Sequence, residues 1–394
     1  MRNIIIWVIF FVFLEVGFIY AQSNMHDNIN ESSVPSSSLN ITDRLQNIDR
    51  NDTNPSRSSQ PPRLTVSAEA IAFSRVGTAN RTLVERVPGL VSFGNVPITP
   101  GTQALNSNDL NQGFAPGFRL GADYHVNSDY DILLSFFRIS DWSAAKSIGP
   151  DNPLNWLVMK APGDFFQTQD FSYQSMKWDY STELYNAELN VQKKFSNRIT
   201  MFAGFRWLQL NENLQGTIPP PDHILPIWKI DTNNNLYDVA RIKNQPGIPA
   251  PALPPFWDGN TENNLYGLQI GVDGKLFERG RFSIDGLLKV GGYLNHASES
   301  TGVSIQKVVY PSDTSTDHAA FIGEAGLDCK YKITNALTLK IGYEVLWLAG
   351  VALAPGQIQD TYSAFAPVSV TSLGVNSDSD VLFHGATAGL EFSF

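Results

Sequence analysis

Asp222-His223 and Asp317-His318 carry the residue types most directly able to do chemistry, and His296 lies near the second pair. A carboxylate beside an imidazole can activate a water or a hydroxyl for attack. Neighbours in an extended chain point opposite ways, however, so adjacency alone does not make an acid–base pair. Solvated loop histidines are the simpler reading, and no catalytic residue is assigned. Asp231, Asn233 and Asn235 alternate like the start of a calcium loop, but the glycine and distal glutamate of that motif are missing. Cys329 is the single cysteine, so neither an internal disulfide nor a thiolate cluster is available. No phosphate loop or nucleophile elbow occurs. The expectation is no enzyme, no metal and no cofactor.

A second set of polar residues recurs at alternate positions. Glu188, Arg206, Gln269, Asp273 and Asp285 belong to it, with Lys289, Glu324, Lys340 and Glu344. Each sits in a run whose other face carries Tyr, Phe, Trp, Leu, Ile or Val. Three pairs fall on neighbouring runs joined by short turns: Glu188 with Arg206, Asp273 with Lys289, and Glu324 with Lys340. They could line a polar, ion-conducting lumen or form a satisfied core of ion pairs, and at about ten strands a mostly filled or narrow lumen is expected. Gly267, Gly271, Gly291, Gly326 and Gly342 lie between these charges and leave room for long side chains or a tucked loop.

The elements that position these residues are strands, because the alternation has period two. The runs are Leu64 to Phe73, Gly117 to Val126, Tyr130 to Ile139, Leu184 to Phe195 and Arg198 to Leu208. Asn264 to Phe277, Arg281 to Asn295, Ala319 to Tyr331, Leu337 to Leu348 and His384 to Phe394 follow. Tyr130 to Ile139 is apolar on both faces, which leaves its register open. Long connections, at 74–116, 140–183, 209–263, 296–318 and 349–380, alternate with turns of a few residues. That segregation predicts an all-β fold: a closed antiparallel up-and-down transmembrane β-barrel of about ten strands, within a range of about 8 to 12. A soluble lipocalin-like barrel would have shorter loops and would turn its apolar face inward. Hydrocarbon cannot solvate the charged faces, so the nine polar residues are lumen-facing candidates and the apolar faces meet lipid. On this reading Leu268 faces lipid, while Gln269 faces the interior, where an added charge is tolerated. Trp142, Trp178, Trp207 and Trp347 lie near predicted strand ends and fit an interfacial girdle.

An unpaired strand edge in lipid leaves backbone groups unsatisfied at several kcal/mol each, so the barrel must close first strand to last. His384 to Phe394 supplies that last strand, with Phe394, Phe392 and Leu390 on one face.

The N-terminus has Arg2, an apolar run from Ile4 to Leu14 and Ala21 as the last residue before cleavage, which reads as a secretory signal peptide over 1–21. Residues 22–62 are rich in Ser, Asn, Asp and Pro and read as a disordered periplasmic linker. The barrel then occupies 63–394. A net charge of −10 disfavours nucleic acid as a partner. Pro219-Pro220-Pro221 and the PGIPAPALPP run stiffen one long loop; a partner-binding segment is the alternative.

Several stretches resemble one family of bacterial outer-membrane proteins, the seventh putative beta-barrel porin family. They are Asn186 to Asn190 (NAELN), GFRWLQLNE (Gly204 to Glu212), NNLYGLQIG (Asn263 to Gly271) and GGYLNHA (Gly291 to Ala297). FIGEAGLDCKYKIT and LTLKIGYEVLWLAGVALAPGQ extend the likeness. The family carries no established substrate or catalytic residues to transfer. The wider class of outer-membrane barrels implies that terminal aromatics, here Phe392 and Phe394, are the signal read by the barrel assembly machinery. Expected partners are that machinery and outer-membrane lipid, with solute and surface partner unassigned. The expected function is porin-like, giving narrow passage to small polar solutes in the bacterial outer membrane after secretion across the inner membrane. A non-conducting structural or surface-interaction barrel is the alternative, and an outer-membrane hydrolase is a distant one.

Overall fold

The computed structural model describes residues 63–77, 79–88, 102–149, 155–159, 175–217, 228–230, 236–238, 256–305, 308–358 and 374–394. The expected signal peptide and linker lie outside these residues. So do Asp222-His223, the DTNNN stretch and both proline runs.

The strands are β1 (Leu64–Val76), β2 (Thr82–Pro88), β3 (Thr102–Asn106), β4 (Phe114–His125) and β5 (Tyr130–Ile148). Next come β6 (Asn155–Met159), β7 (Met176–Lys194), β8 (Ile199–Thr217), β9 (Trp228–Ile230) and β10 (Leu236–Asp238). The chain continues with β11 (Phe256–Arg279), β12 (Phe282–Ile305), β13 (Val308–Lys332), β14 (Leu337–Val351) and β15 (Ser379–Ser393). Ten of them form one closed antiparallel barrel, in the ring order β1, β4, β5, β7, β8, β11, β12, β13, β14, β15 and back to β1. β2, β3 and β6 make a separate three-stranded sheet, and β9 pairs with β10.

The tight turns at one end follow from their sequence. Asn127 Oδ1 accepts from the backbone N–H of Asp129 and Tyr130, each at 2.9 Å. Ser196 and Thr334 do the same for the turns after β7 and β13. Gly280 turns the chain after β11 at φ +63°, a conformation that costs glycine least.

The alternation places the apolar face outward. Leu268 is 72% exposed and Ile270 62%, while Gln269 between them is 2% exposed. Closure is complete: β1 pairs with β15 from Thr65↔Ser393 to Val76↔Leu382. The N–H of Phe394 donates to Leu64 O at 2.9 Å, and that of Arg63 to Phe394 O at 2.8 Å.

The strands run much further than a bilayer requires. About 9–11 residues cross it, whereas β13 has 25 and β11 and β12 have 24 each. The stretch 296–318, expected as a loop, is mostly the paired outer half of β12 and β13, up to Ile305↔Val308. Paired backbone is stable in water as well as in lipid, so nothing in the bilayer thickness ends these strands.

Two tryptophans depart from the expected girdle. Trp142 and Trp178 are fully buried. A bulge between Ile139 and Trp142 shifts the register of β5 against β7, which turns Trp142 to the same side as Ile139. Trp178 follows the ordinary alternation of β7, whose stretch 176–183 was expected to be loop. Trp347 does lie on the exposed face, packed beside Phe321 at 5.5 Å between ring centroids.

Candidate functional site: the barrel interior

The inward side chains are stacked in layers along the barrel axis. Each charged layer joins residues of neighbouring strands, such as Glu188 with Arg206, to residues of strands that are not neighbours, so some ion pairs lie along the wall and others run across the lumen as chords.

One quartet is Glu188, Arg206, Lys289 and Glu324, from β7, β8, β12 and β13. Arg206 lies 2.8 Å from Glu324 and 3.7 Å from Glu188; Lys289 lies 2.6 Å from Glu324 and 3.2 Å from Glu188. Two acids and two bases thus close a neutral square. Arg206 Nε also donates to Asn186 Oδ1 at 2.5 Å, and Gln269 Nε2 donates to Glu188 and Asn190 at 2.8 Å each. Such pairing offsets the several kcal/mol that an isolated buried ion costs to desolvate, although Arg206 Nη2 itself has no hydrogen-bond partner.

A second quartet joins Glu69, Arg119, Lys340 and Glu344. Arg119 lies 2.8 Å from Glu344 and 3.6 Å from Glu69, and Lys340 reaches Glu69 at 2.9 Å and Asp328 at 3.1 Å. Nearer the turns, Lys330 bridges Asp285 and Glu391, each at 3.3 Å.

The structure therefore brings Glu188, Arg206, Gln269, Lys289 and Glu324 together, places Lys340 with Glu344, and puts Asp285 in a third group. Two of the three candidate pairs do not form. Asp273 stands opposite Leu287, whereas Lys289 stands opposite Glu324. Lys340 stands opposite Lys330 and turns to Glu69 instead of Glu324. Glu69, Arg119 and Lys330 complete the groups and were not singled out from sequence, although their parity on β1, β4 and β13 gave the signal. The inner glycines make room for these side chains. A Cβ on Gly342 would meet Asp328 and Thr387, and one on Gly291 would come within 2.7 Å of the Tyr293 hydroxyl.

Beyond the quartets lies an apolar layer. Ile71, Phe73, Phe137, Leu208, Leu346 and Phe383 belong to one buried cluster inside the barrel. Trp142 stacks on Phe383 there, at 5.2 Å between centroids. Above it Arg75 of β1 meets Glu212 of β8 at 2.6 Å and donates to Thr182 at 2.9 Å. Tyr180 donates to Glu212 Oε2 at 2.8 Å.

The segment after β14 completes the interior. Val351 to Ile358 is buried throughout and contains a 3₁₀ turn at Ala354–Gln357. It leaves β14 and reaches the far wall: Ala352 exchanges hydrogen bonds with the Asn263 side chain at 2.7 Å, and the Ala354 N–H donates to Glu212 Oε2 at 2.8 Å. A second apolar cluster joins Ala354 and Ile358 to Trp178, Trp257, Leu83 and Leu105, so the three-stranded sheet packs on the same inward faces.

The histidines fall in separate places. His296 Nδ1 lies 2.6 Å from Asp317 across β12 and β13, with both side chains more than half exposed. His318 Nε2 lies 2.7 Å from Gly350 O, and the Tyr343 hydroxyl 2.7 Å from His384 Nδ1. His296 thus pairs with Asp317, a contact set by strand register and not by sequence adjacency.

Residues 243–394 match the family model described as Putative beta barrel porin-7 (BBP7). It is the family that the motifs resemble, and the match takes in the NNLYGLQIG and GGYLNHA stretches; NAELN and GFRWLQLNE precede it. The matched stretch spans β11 to β15 of the closed barrel. No curated protein matches the chain. Among solved structures, the outer membrane protease OmpT from Escherichia coli is 9% identical, with a TM-score of 0.42, over 84% of this chain and 97% of that one. The translocator domain of the autotransporter NalP from Neisseria meningitidis is 6% identical, with a TM-score of 0.37, over 84% and 88%. The Pseudomonas putida toluene transporter TodX is 11% identical, with a TM-score of 0.29, over 85% and 91%.

Proposed function

We propose that this porin-like barrel is sealed, that it gives no steady passage to small polar solutes, and that it acts as a non-enzymatic surface protein through its outer end. The segment Val351 to Ile358 carries this reading, because it spans the interior from β14 to β8 and β11 and is held there by Asn263 and Glu212. The apolar cluster around Phe73 and Phe383 adds a layer that a hydrated ion would have to cross. A barrel near ten strands is little wider than the eight or so whose interiors side chains fill, and about 16 are needed for an aqueous channel. The outer end is correspondingly built up, with long paired strands and the sheet of β2, β3 and β6 packed on them.

The test is planar-bilayer recording of the purified chain. The sealed reading expects no steady unitary conductance from the wild type, and conductance from a variant whose residues 353–358 are replaced by glycine and serine. Steady unitary conductance in the wild type would overturn it in favour of narrow passage.

A further inference from the structure

Asp123, His125 and Asp131 meet at the turn end of the barrel interior, away from the charged quartets. The tight turn after β4 sets His125 directly opposite Asp131, and Asp123 precedes His125 by two residues on the same inward face. One ligating atom from each residue lies within 4.8 Å of the other two. Asp131 is buried, His125 Nδ1 lies 2.9 Å from its Oδ1, and Thr65 Oγ1 lies 3.3 Å from His125 Nε2. Asp123 Oδ1 is different: it is shielded from solvent and has no hydrogen-bond partner. An unsatisfied carboxylate oxygen beside a second carboxylate is unfavourable, and a bound cation is the group that would offset both the missing partner and the repulsion.

We propose that these three residues form a site for a divalent transition cation, of which zinc is the reference case. One imidazole nitrogen with two carboxylate oxygens suits zinc or manganese, whereas calcium takes six to eight oxygens. Three protein ligands leave at least one of zinc's four positions for water. Lys194 is the built-in competitor. Its Nζ lies 2.9 Å from Asp131 Oδ2, but its side chain is 39% exposed and can swing into solvent. The cation and the ammonium therefore exchange on one carboxylate.

The experiment is calorimetric titration of the chelator-stripped full chain in detergent with zinc chloride, with cobalt(II) absorption as a second readout. Saturable binding of one equivalent is expected. His125→Ala and Asp123→Asn should each weaken it at least tenfold, Lys194→Met should tighten it, and His296→Ala, at the other end of the barrel, should leave it unchanged. Lack of saturable binding by the wild type overturns the proposal, as does binding that His125→Ala and Asp123→Asn leave intact. Should those two variants not fold, Lys194→Met decides: an affinity no tighter than wild type overturns the site.

Discussion

Arg75 and Glu212 form an ion pair of 2.6 Å from strands four places apart in a ring of ten, with side chains 3% and 0% exposed. The bond is nearly a diameter of the barrel, and Tyr180, Thr182 and the Ala354 N–H converge on the same two side chains. Removing one partner leaves an uncompensated buried charge. Arg75→Met should therefore cost about 3–5 kcal/mol. The double variant Arg75→Met/Glu212→Leu should recover much of that loss. Urea unfolding in detergent checks both, and additive losses in the double variant would show that the two charges do not act as a pair.

Leu268 and Gln269 are neighbours with opposite surroundings. Leu268→Arg places a charge on the lipid face and should cost about 2–4 kcal/mol if near the bilayer midplane. Sequence alone allows Gln269→Arg as a mild change. The structure reverses that expectation. Gln269 already donates to Glu188 and Asn190 in a filled layer, and a longer side chain overfills it at about 1–3 kcal/mol. The folded fractions of the two variants should be similar, and a wild-type level for Gln269→Arg would indicate an interior with spare volume.

Gly385 and Gly292 test packing at the closing seam. A Cβ on Gly385 would run into the backbone of Ala72 and Phe73 on β1, whereas one on Gly292 meets nothing within 4 Å. Gly385→Ala should lower the yield of heat-modifiable folded barrel, while Gly292→Ala should not. Equal yields would mean that the seam relaxes at no cost.

Deleting Phe392 to Phe394 should prevent barrel assembly. It removes the bonds of Phe394 with Arg63 and Leu64, and that of the Ser393 N–H with Ala336 O, in a medium without water to replace them. Phe394→Ser keeps those backbone bonds and removes only the aromatic ring. If the ring is the assembly signal, Phe394→Ser should fail in cells yet refold in detergent. Loop labelling on intact cells gives the readout, and normal surface levels of the deletion variant would sink the closing role of this segment.

The sequence by itself determined the barrel, its facing and its closure. Those depend on local alternation and on turn residues such as Asn127, Ser196, Thr334 and Gly280, which act over two to four positions. Glu188 and Arg206 were legible as partners because one short turn joins their strands. Only the tertiary structure decided what fills the interior. Arg75 and Glu212 are 137 positions apart and meet only because the ring closes, and both fall in stretches, 74–116 and 209–263, that are expected to be long connections from sequence. Trp142 turned inward through a bulge that has no two-residue signature. Val351 to Ile358 follows a predicted strand, and its composition does not distinguish an outer loop from a segment folded back into the barrel. That difference arises from contacts with Asn263 and Glu212 on distant strands, and periodicity along one strand carries no record of them.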